Sequence, residues 1–386
     1  MQSTFFKWRQ IAKATALGLL VAGIITSCSK KDNINQPVSE QNNEQEAVNA
    51  ARGLEQTAAP YAKKEGQQLG FTEEGQGIND AQSRGQRNIV EIAVANPNFS
   101  SLVAAVLKTG LAGALSNPSA NLTVFAPTNP AFAQLPAPYN NAANIGNITD
   151  AAQINFLRSV LLYHVLGNEV FSYQINNGSS NAVTIKPAGT SNDNTIYFSK
   201  TFGLIRVNGQ SDVIWANINA NNGVIHAINK VLLFPTNTIA GIAIADPANF
   251  STLVAALVKT NLAGVFTGSG DFTVFAPTNP AFAQLPAPFN NAANINNINN
   301  PAQIAALSNI LKYHVVASRN FTWDLGILRR VTTLANAPNN KVTTILGYNT
   351  GWVKGDDNNS FSKILPGDIL ATNGVIRVID KVLLPK

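Results

Sequence analysis

The chain has 386 residues, 45% of them hydrophobic and 12% charged, which is enough for two ordinary domains with cores of their own plus accessory segments. Its formal net charge is +6; setting aside Lys7, Arg9 and Lys13, in a leader with no acidic residue, takes three positive charges away and leaves about +3. No cluster of Lys and Arg accompanies that charge, which excludes nucleic acid as the expected partner, because phosphate binding needs basic side chains gathered on one face.

Residues 1–27 have the three parts of an export signal: the basic start at Lys7, Arg9 and Lys13, an apolar run from Ala14 to Ile25, and small residues at its end. About twelve apolar residues are too few to span a bilayer comfortably. Ile25-Thr26-Ser27-Cys28 follows and resembles the bacterial lipobox, in which the cysteine is lipidated and becomes the mature N-terminus. Cys28 is the only cysteine, so no intramolecular disulfide can form and the cores must stand on packing. Ser29-Lys30-Lys31-Asp32 resembles the export signals of surface-exposed lipoproteins in Bacteroidetes. The expected location is therefore the cell envelope, as an outer-membrane lipoprotein facing outward. Residues 28–87 are rich in Gln, Asn, Glu and Gly and keep no apolar period, which reads as a flexible tether with at most a short helix at Ala47 to Leu54.

Two modules follow, expected over 88–235 and 236–386. Thr123 to Ile145 recurs at Thr273 to Ile295 with one change, Tyr139 to Phe289. Tyr163-His164-Val165 answers Tyr313-His314-Val315, and Asn222-Gly223-Val224-Ile225 answers Asn373-Gly374-Val375-Ile376. The body is thus a duplication.

In the first copy Phe99, Leu102, Val103, Val106, Leu107 and Leu111 follow helical spacing. Gly110 and its counterpart Asn261, the residues that best tolerate a left-handed backbone, predict the end of that helix in each copy. Leu122 to Ala126 predicts a strand stopped by Pro127. Asn129 before Pro130 predicts a helix start capped by the Asn, with Phe132 turned to the core. Ile154, Leu157, Val160, Leu161 and Leu162 form a second helical stripe that runs into Tyr163-His164. Strand patterns then follow at 183–185, 195–198, 203–207, 213–215 and 224–233. Helices first and a mostly antiparallel sheet after them give an α+β class.

The ordered set TVFAPTNPAF, YH and NGVI followed by KVLL, seen twice, resembles the fasciclin (FAS1) domain family over about residues 88–386. The resemblance implies, for each module, a twisted antiparallel β-wedge packed with several short helices. It also implies fold-making roles for Phe125, Pro127, Asn129, Asn222, Gly223 and His226, and for Phe275, Pro277, Asn279, Asn373, Gly374 and Arg377. Family members usually act as extracellular adhesion or matrix-contact modules, with the neighbourhood of the Tyr-His pair tied to adhesion. That makes Tyr163, His164, Tyr313 and His314 candidate binding residues, with buried structural histidines as the other reading.

No constellation speaks for catalysis, a metal or a cofactor: HExxH, GxSxG, Walker and dinucleotide fingerprints are all missing. His226 is replaced by Arg377 in the second copy, where a guanidinium can neither ligate nor accept a proton, which favours a structural donor. Asp356, Asp357 and Asp368 match no calcium-loop spacing. Trp323, Tyr348 and Trp352 are the first candidates for stacking on sugar rings. The expected function is a non-enzymatic surface adhesion or interaction protein, held to the membrane by lipid on Cys28, whose partner is a surface or matrix protein or a polysaccharide. The alternatives are a glycan-binding accessory lipoprotein of an outer-membrane carbohydrate uptake system and, last, a hydrolase using His226.

Overall fold

The computed structural model describes residues 86–386 apart from 190–192, 269, 327, 348 and 349. The leader, Cys28, the helix at Ala47 to Leu54 and Tyr348 lie outside the described residues.

Each copy begins with short helices. In the first they are Ile89–Ala95, Ser100–Lys108 and Ala112–Leu115, and Gly110 takes a left-handed φ of 69° between the last two. Asn261 does the same in the second copy at φ 56°. Leu107, expected in the apolar stripe, is 62% exposed: the helix buries Leu102, Ala105 and Val106 instead, and Leu107 lies past the edge of that face.

Strand β1 (Leu122–Pro127) pairs on one side with the two-residue β2 (Val165–Leu166) and on the other with β7 (Gly223–Ile228). Strands β3 (Gly178–Val183), β4 (Thr195–Thr201), β5 (Leu204–Val207) and β6 (Ser211–Ala220) complete a seven-stranded sheet in the order β2-β1-β7-β6-β5-β4-β3. The last expected strand stops at Ile228 instead of running to Leu233. The second copy repeats the plan with β8 (Phe272–Pro277), β9 (Val315–Val316), β10 (Arg329–Thr332), β11 (Lys341–Leu346), β12 (Gly351–Lys354), β13 (Ser362–Ile364), β14 (Ile369–Ala371) and β15 (Gly374–Ile379). The class is α+β, with two modules built on one plan. The sheets are mixed, because β1 with β7 and β8 with β15 run parallel. These are the strands furthest apart in each module's sequence, and the elements between them supply the crossover that a parallel pair needs.

Side chains alternate across β1, and both faces are covered. Val124 and Ala126 meet the helices, together with Phe99, Leu157 and Ile225. Phe125 points the other way, into a second cluster with Tyr163, Phe198, Val207 and Ile228. In the second copy Val274 and Ala276 divide from Phe275 in the same way. Each fully buried aromatic of this kind contributes roughly 1.5–3 kcal/mol.

The repeated polar residues tie these layers together. Asn222 Oδ1 accepts the Ile89 N–H at 3.0 Å while its Nδ2 donates to Leu115 O at 2.8 Å; Asn373 binds Ile239 and Phe266 likewise at 2.8 and 2.9 Å. Gly223 has φ 144°, and a Cβ there would stand 1.9 Å from Leu122 O; at Gly374 the values are 153° and 2.2 Å from Phe272 O. A side chain at either glycine would drive the two central strands apart. Asn129 does not cap its own helix, Asn129–Phe132, whose N-cap is Thr128. Its Oδ1 accepts the Ser101 N–H at 3.0 Å and its Nδ2 donates to Pro97 O at 2.9 Å, so it ties down the start of the neighbouring helix. Asn279 does the same with Thr252 and Pro247.

Candidate functional site: the loop after the Tyr-His helix

Helix Ala151–Tyr163 and its counterpart Pro301–Tyr313 each deliver a Tyr-His pair into the core. His164 Nδ1 lies 2.7 Å from Val160 O, and its Nε2 accepts the Leu232 N–H at 2.9 Å. His314 repeats this with Ile310 O and Leu383 N, both at 2.8 Å. These partners place the proton on Nδ1. Burial lowers both pKa values to about 4, against which the backbone carbonyls push weakly, so both rings are neutral near pH 7. Tyr163 donates to Thr195 O at 2.7 Å and accepts from Asn208 at 3.0 Å. Tyr313 donates to Lys341 O and accepts the Asp356 N–H. All four side chains are buried and hydrogen-bonded within the chain, so none offers a surface to a ligand.

What these helices lead into does reach the surface. The loops 168–175 and 318–325 are built on the same four braces. Thr123 Oγ1 accepts the Val170 N–H at 2.8 Å, and Thr273 Oγ1 accepts that of Asn320 at 2.9 Å. Val170 O is held by His226 Nε2 at 2.8 Å, while Asn320 O accepts from Arg377 Nη2. Ser172 N–H donates to Asn217 Oδ1 at 2.8 Å, and Thr322 N–H to Asp368 Oδ2 at 2.8 Å. Phe171 N–H reaches Gln174 Oε1 at 2.7 Å, and Phe321 N–H reaches Asp324 Oδ2 at 2.7 Å. His226 and Arg377 therefore do one job: each donates to the carbonyl that sets the loop's path.

The braces differ in charge. His226, Asn217 and Gln174 are replaced in the second module by Arg377, Asp368 and Asp324. Arg377 is fully buried, over the Phe275 ring at 5.7 Å, with Nε 3.6 Å from Asp368 Oδ1. Burial lowers its pKa while Asp368 and Asp324 raise it; a guanidinium stays charged in either case. Asp324 is raised by burial and held down by Ser199, by the Phe321 N–H and by Ser179. Its Oδ1 and the Ser199 hydroxyl are buried without a closed hydrogen bond.

Their surroundings differ more. The second loop is pressed onto strands β4 and β5 of the first module. Trp323, 5% exposed, lies under the Arg206 guanidinium at 4.1 Å and against Leu204 and Leu346. Phe321, 2% exposed, meets Tyr197 with ring centres 5.7 Å apart. The Arg319 guanidinium covers the other side of Tyr197 at 4.4 Å, and Gln210 Nε2 donates to Asp368 O at 2.5 Å. Gly209, at φ 69°, lets these surfaces close: a Cβ there would stand 2.5 Å from both Phe321 Cδ1 and Asp368 Oδ2. The first loop has no such cover. Phe171 and Tyr173 stack on one another, ring centres 5.4 Å apart and 8° from parallel, and Tyr173 is 72% exposed.

This overturns the sugar-stacking expectation at Trp323 and Trp352, Tyr348 lying outside the described residues. Trp323 lies under Arg206, and Trp352 is 2% exposed beside Gly347. Trp352 stands out in the sequence for its Gly- and Asn-rich surroundings and Trp323 for having no matching Trp in the first copy, and tertiary packing covers both. Half-buried Phe171 and exposed Tyr173 stand at the positions equivalent to Phe321 and Trp323. Aligning the copies through Tyr-His could have found them.

The fasciclin domain model matches residues 97–234 and 248–385. The chain belongs to the fasciclin domain family. It is 29% identical over 270 residues to the transforming growth factor-beta-induced protein ig-h3 of Sus scrofa, covering 69% of this chain and 35% of that protein. The chain thus spans about a third of that relative's length. It is 39% identical over 146 residues to the uncharacterized protein sll1735 of Synechocystis sp., covering 38% of this chain and 96% of that one. A solved FAS1 domain pair from the insect cell adhesion molecule fasciclin I overlaps 72% of this chain and 94% of its own, at 18% identity and a TM-score of 0.35.

Proposed function

We propose that this protein is a non-enzymatic adhesion or interaction protein of the bacterial cell envelope, anchored by lipid on Cys28 once residues 1–27 are removed. Residues 28–87 act as the tether, and the modules over 88–235 and 236–386 are held outward from an outer membrane to meet a surface or matrix protein or a polysaccharide. The supporting observation is how the chain uses its polar residues. Tyr163, His164, Tyr313, His314, His226 and Arg377 all serve internal contacts of the scaffold, while an aromatic pair is left on the surface. Family membership and the lipobox-like end of the leader point the same way. The glycan-uptake alternative rests on analogy with other tandem-domain envelope lipoproteins, and Trp323 and Trp352, both buried, lend it no stacking surface.

Deleting the gene tests the reading. Attachment, biofilm formation or matrix binding should fall, and Cys28→Ser should release the protein from the membrane fraction with the same loss. Unchanged attachment in both strains would count against it.

A further inference from the structure

The two loops share their braces and differ in what covers them, so the covered one shows what the shape accepts. In the second module the aromatic pair Phe321 and Trp323 receives an arginine over the indole and a tyrosine against the phenyl ring, both from the first module's sheet. In the first module Phe171 and Tyr173 occupy the same positions on a loop held just as firmly. Asn217 fixes Ser172 from two sides at 2.8 Å, and Lys200 Nζ donates to Ser172 O and Ile175 O at 2.8 and 3.0 Å. A braced ring pair, Tyr173 exposed and stacked on half-buried Phe171, loses little conformational entropy when something docks on it, and flat π-faces attract guanidinium groups.

We propose that the Phe171–Tyr173 loop is a docking site for another polypeptide that presents an arginine beside an aromatic side chain on an extended strand. The inference rests on the reading of this chain as an interaction protein and names the kind of partner. Charge adds to the geometry: Arg319, which helps to cover Tyr197 in the second loop, is replaced in the first by Glu169, which favours an incoming cation. A second copy of this chain is a poor occupant. Its Tyr197 and Arg206 are already covered by its own second module. The second module carries Thr343 and Trp352 at the equivalent places, as the pairing of β4 with β5 and of β11 with β12 shows. The partner is therefore a different protein.

Tyr197 and Arg206 are diagonal neighbours, since Ser199 stands opposite Arg206, and such pairs lie about 7–8 Å apart. In an extended peptide, residues i and i+2 share one face about 7 Å apart. A Tyr-Xaa-Arg peptide thus imitates the face that covers the second loop. The test is to follow the ring resonances of Phe171 and Tyr173 in the intact chain during titration with N-acetyl-Tyr-Ala-Arg-amide, with its Tyr-Ala-norleucine analogue, and with cellohexaose. The expected result is a saturable movement of both rings with the arginine peptide, at an affinity about two- to fivefold above that for the norleucine analogue, the factor a cation over an exposed ring supplies. Tyr173→Ala should abolish it; that side chain is exposed, so the fold is kept. Still rings, or equal response to both peptides, would overturn the proposal. Movement with cellohexaose alone would overturn it in favour of a glycan platform. The attachment assay with the deletion strain reads the broader function separately, so either can fail alone.

Discussion

The same loop is built twice in this chain and meets opposite fates. Around Phe171 and Tyr173 it is braced by neutral groups, His226, Asn217 and Gln174, and Tyr173 faces solvent from its stack on Phe171. Around Phe321 and Trp323 it is braced by Arg377, Asp368 and Asp324, and its rings are buried against the other module. The charged set belongs with burial. Two carboxylates out of water need a cation at hand, and Arg377 supplies it where a histidine, neutral once buried, cannot. Duplication kept the loop's path and changed what the loop is for.

The largest way to break this comparison is to remove that cation. Arg377→Met should cost the second module about 3–5 kcal/mol, because Asp368 and Asp324 are left buried without a compensating charge. His226→Met removes only neutral hydrogen bonds and should cost the first about 1–3 kcal/mol. Urea unfolding of the two variants checks the asymmetry; equal losses would mean that the charged braces are ordinary.

Acid comes next, and it should strike the first module harder, because burial also lowers the pKa of His226 there and the second module has Arg377 in its place. An unfolded histidine takes up its proton near pH 6.5, whereas His164 and His314 do so only near 4. Between those values the unfolded chain holds more protons, so stability falls as pH drops through that window. The loss is about 3 kcal/mol per histidine at its full extent. Thermal melts from pH 7 to pH 4 should show it in both modules.

A smaller step separates the modules without unfolding them. Gly209→Ala places a methyl group 2.5 Å from Phe321 and Asp368 at a left-handed backbone position. It should weaken docking by about 1–3 kcal/mol and leave each module's core intact. Small-angle scattering would then give a longer maximum dimension.

The smallest effect sharpens the charge argument. Asp324 has a raised pKa, so the docked loop holds its proton to higher pH than the free one, and docking weakens as pH rises from the usual carboxylate range through that raised value. This is the reverse of the histidine trend. Asp324→Asn, which keeps the acceptor for Phe321 N–H, should remove that dependence and strengthen docking at pH 7 by less than about 1 kcal/mol. Domain separation measured against pH in the Gly209→Ala background would show it.

Much of the fold was legible because it rests on local signals stated twice. Gly110 and Asn261 end their helices in the left-handed region, as residues that pay little for it should. The strand ending at Pro127 and the inward Phe132 also follow from their own neighbours. Long-range pairing was not legible: nothing in Leu122–Pro127 says that it runs parallel to a strand about a hundred residues later. The same limit hid the capping partner of Asn129 and the burial of Trp323, since both are decided by groups distant in sequence. For the site, the Tyr-His pairs pointed to the right helix ends. The stacked pair lay eight and ten positions beyond Tyr163, where Phe171 and the exposed Tyr173 carry no motif.

The central claim, one loop docked and its twin free, is tested most directly by hydroxyl-radical footprinting of the intact chain, with each residue normalised to its own rate in urea. The account predicts that Tyr173 is modified at close to its unfolded rate, while Trp323 and Phe321 are protected at least tenfold and lose that protection in Gly209→Ala. Equal labelling of Tyr173 and Trp323 in the native chain would contradict it.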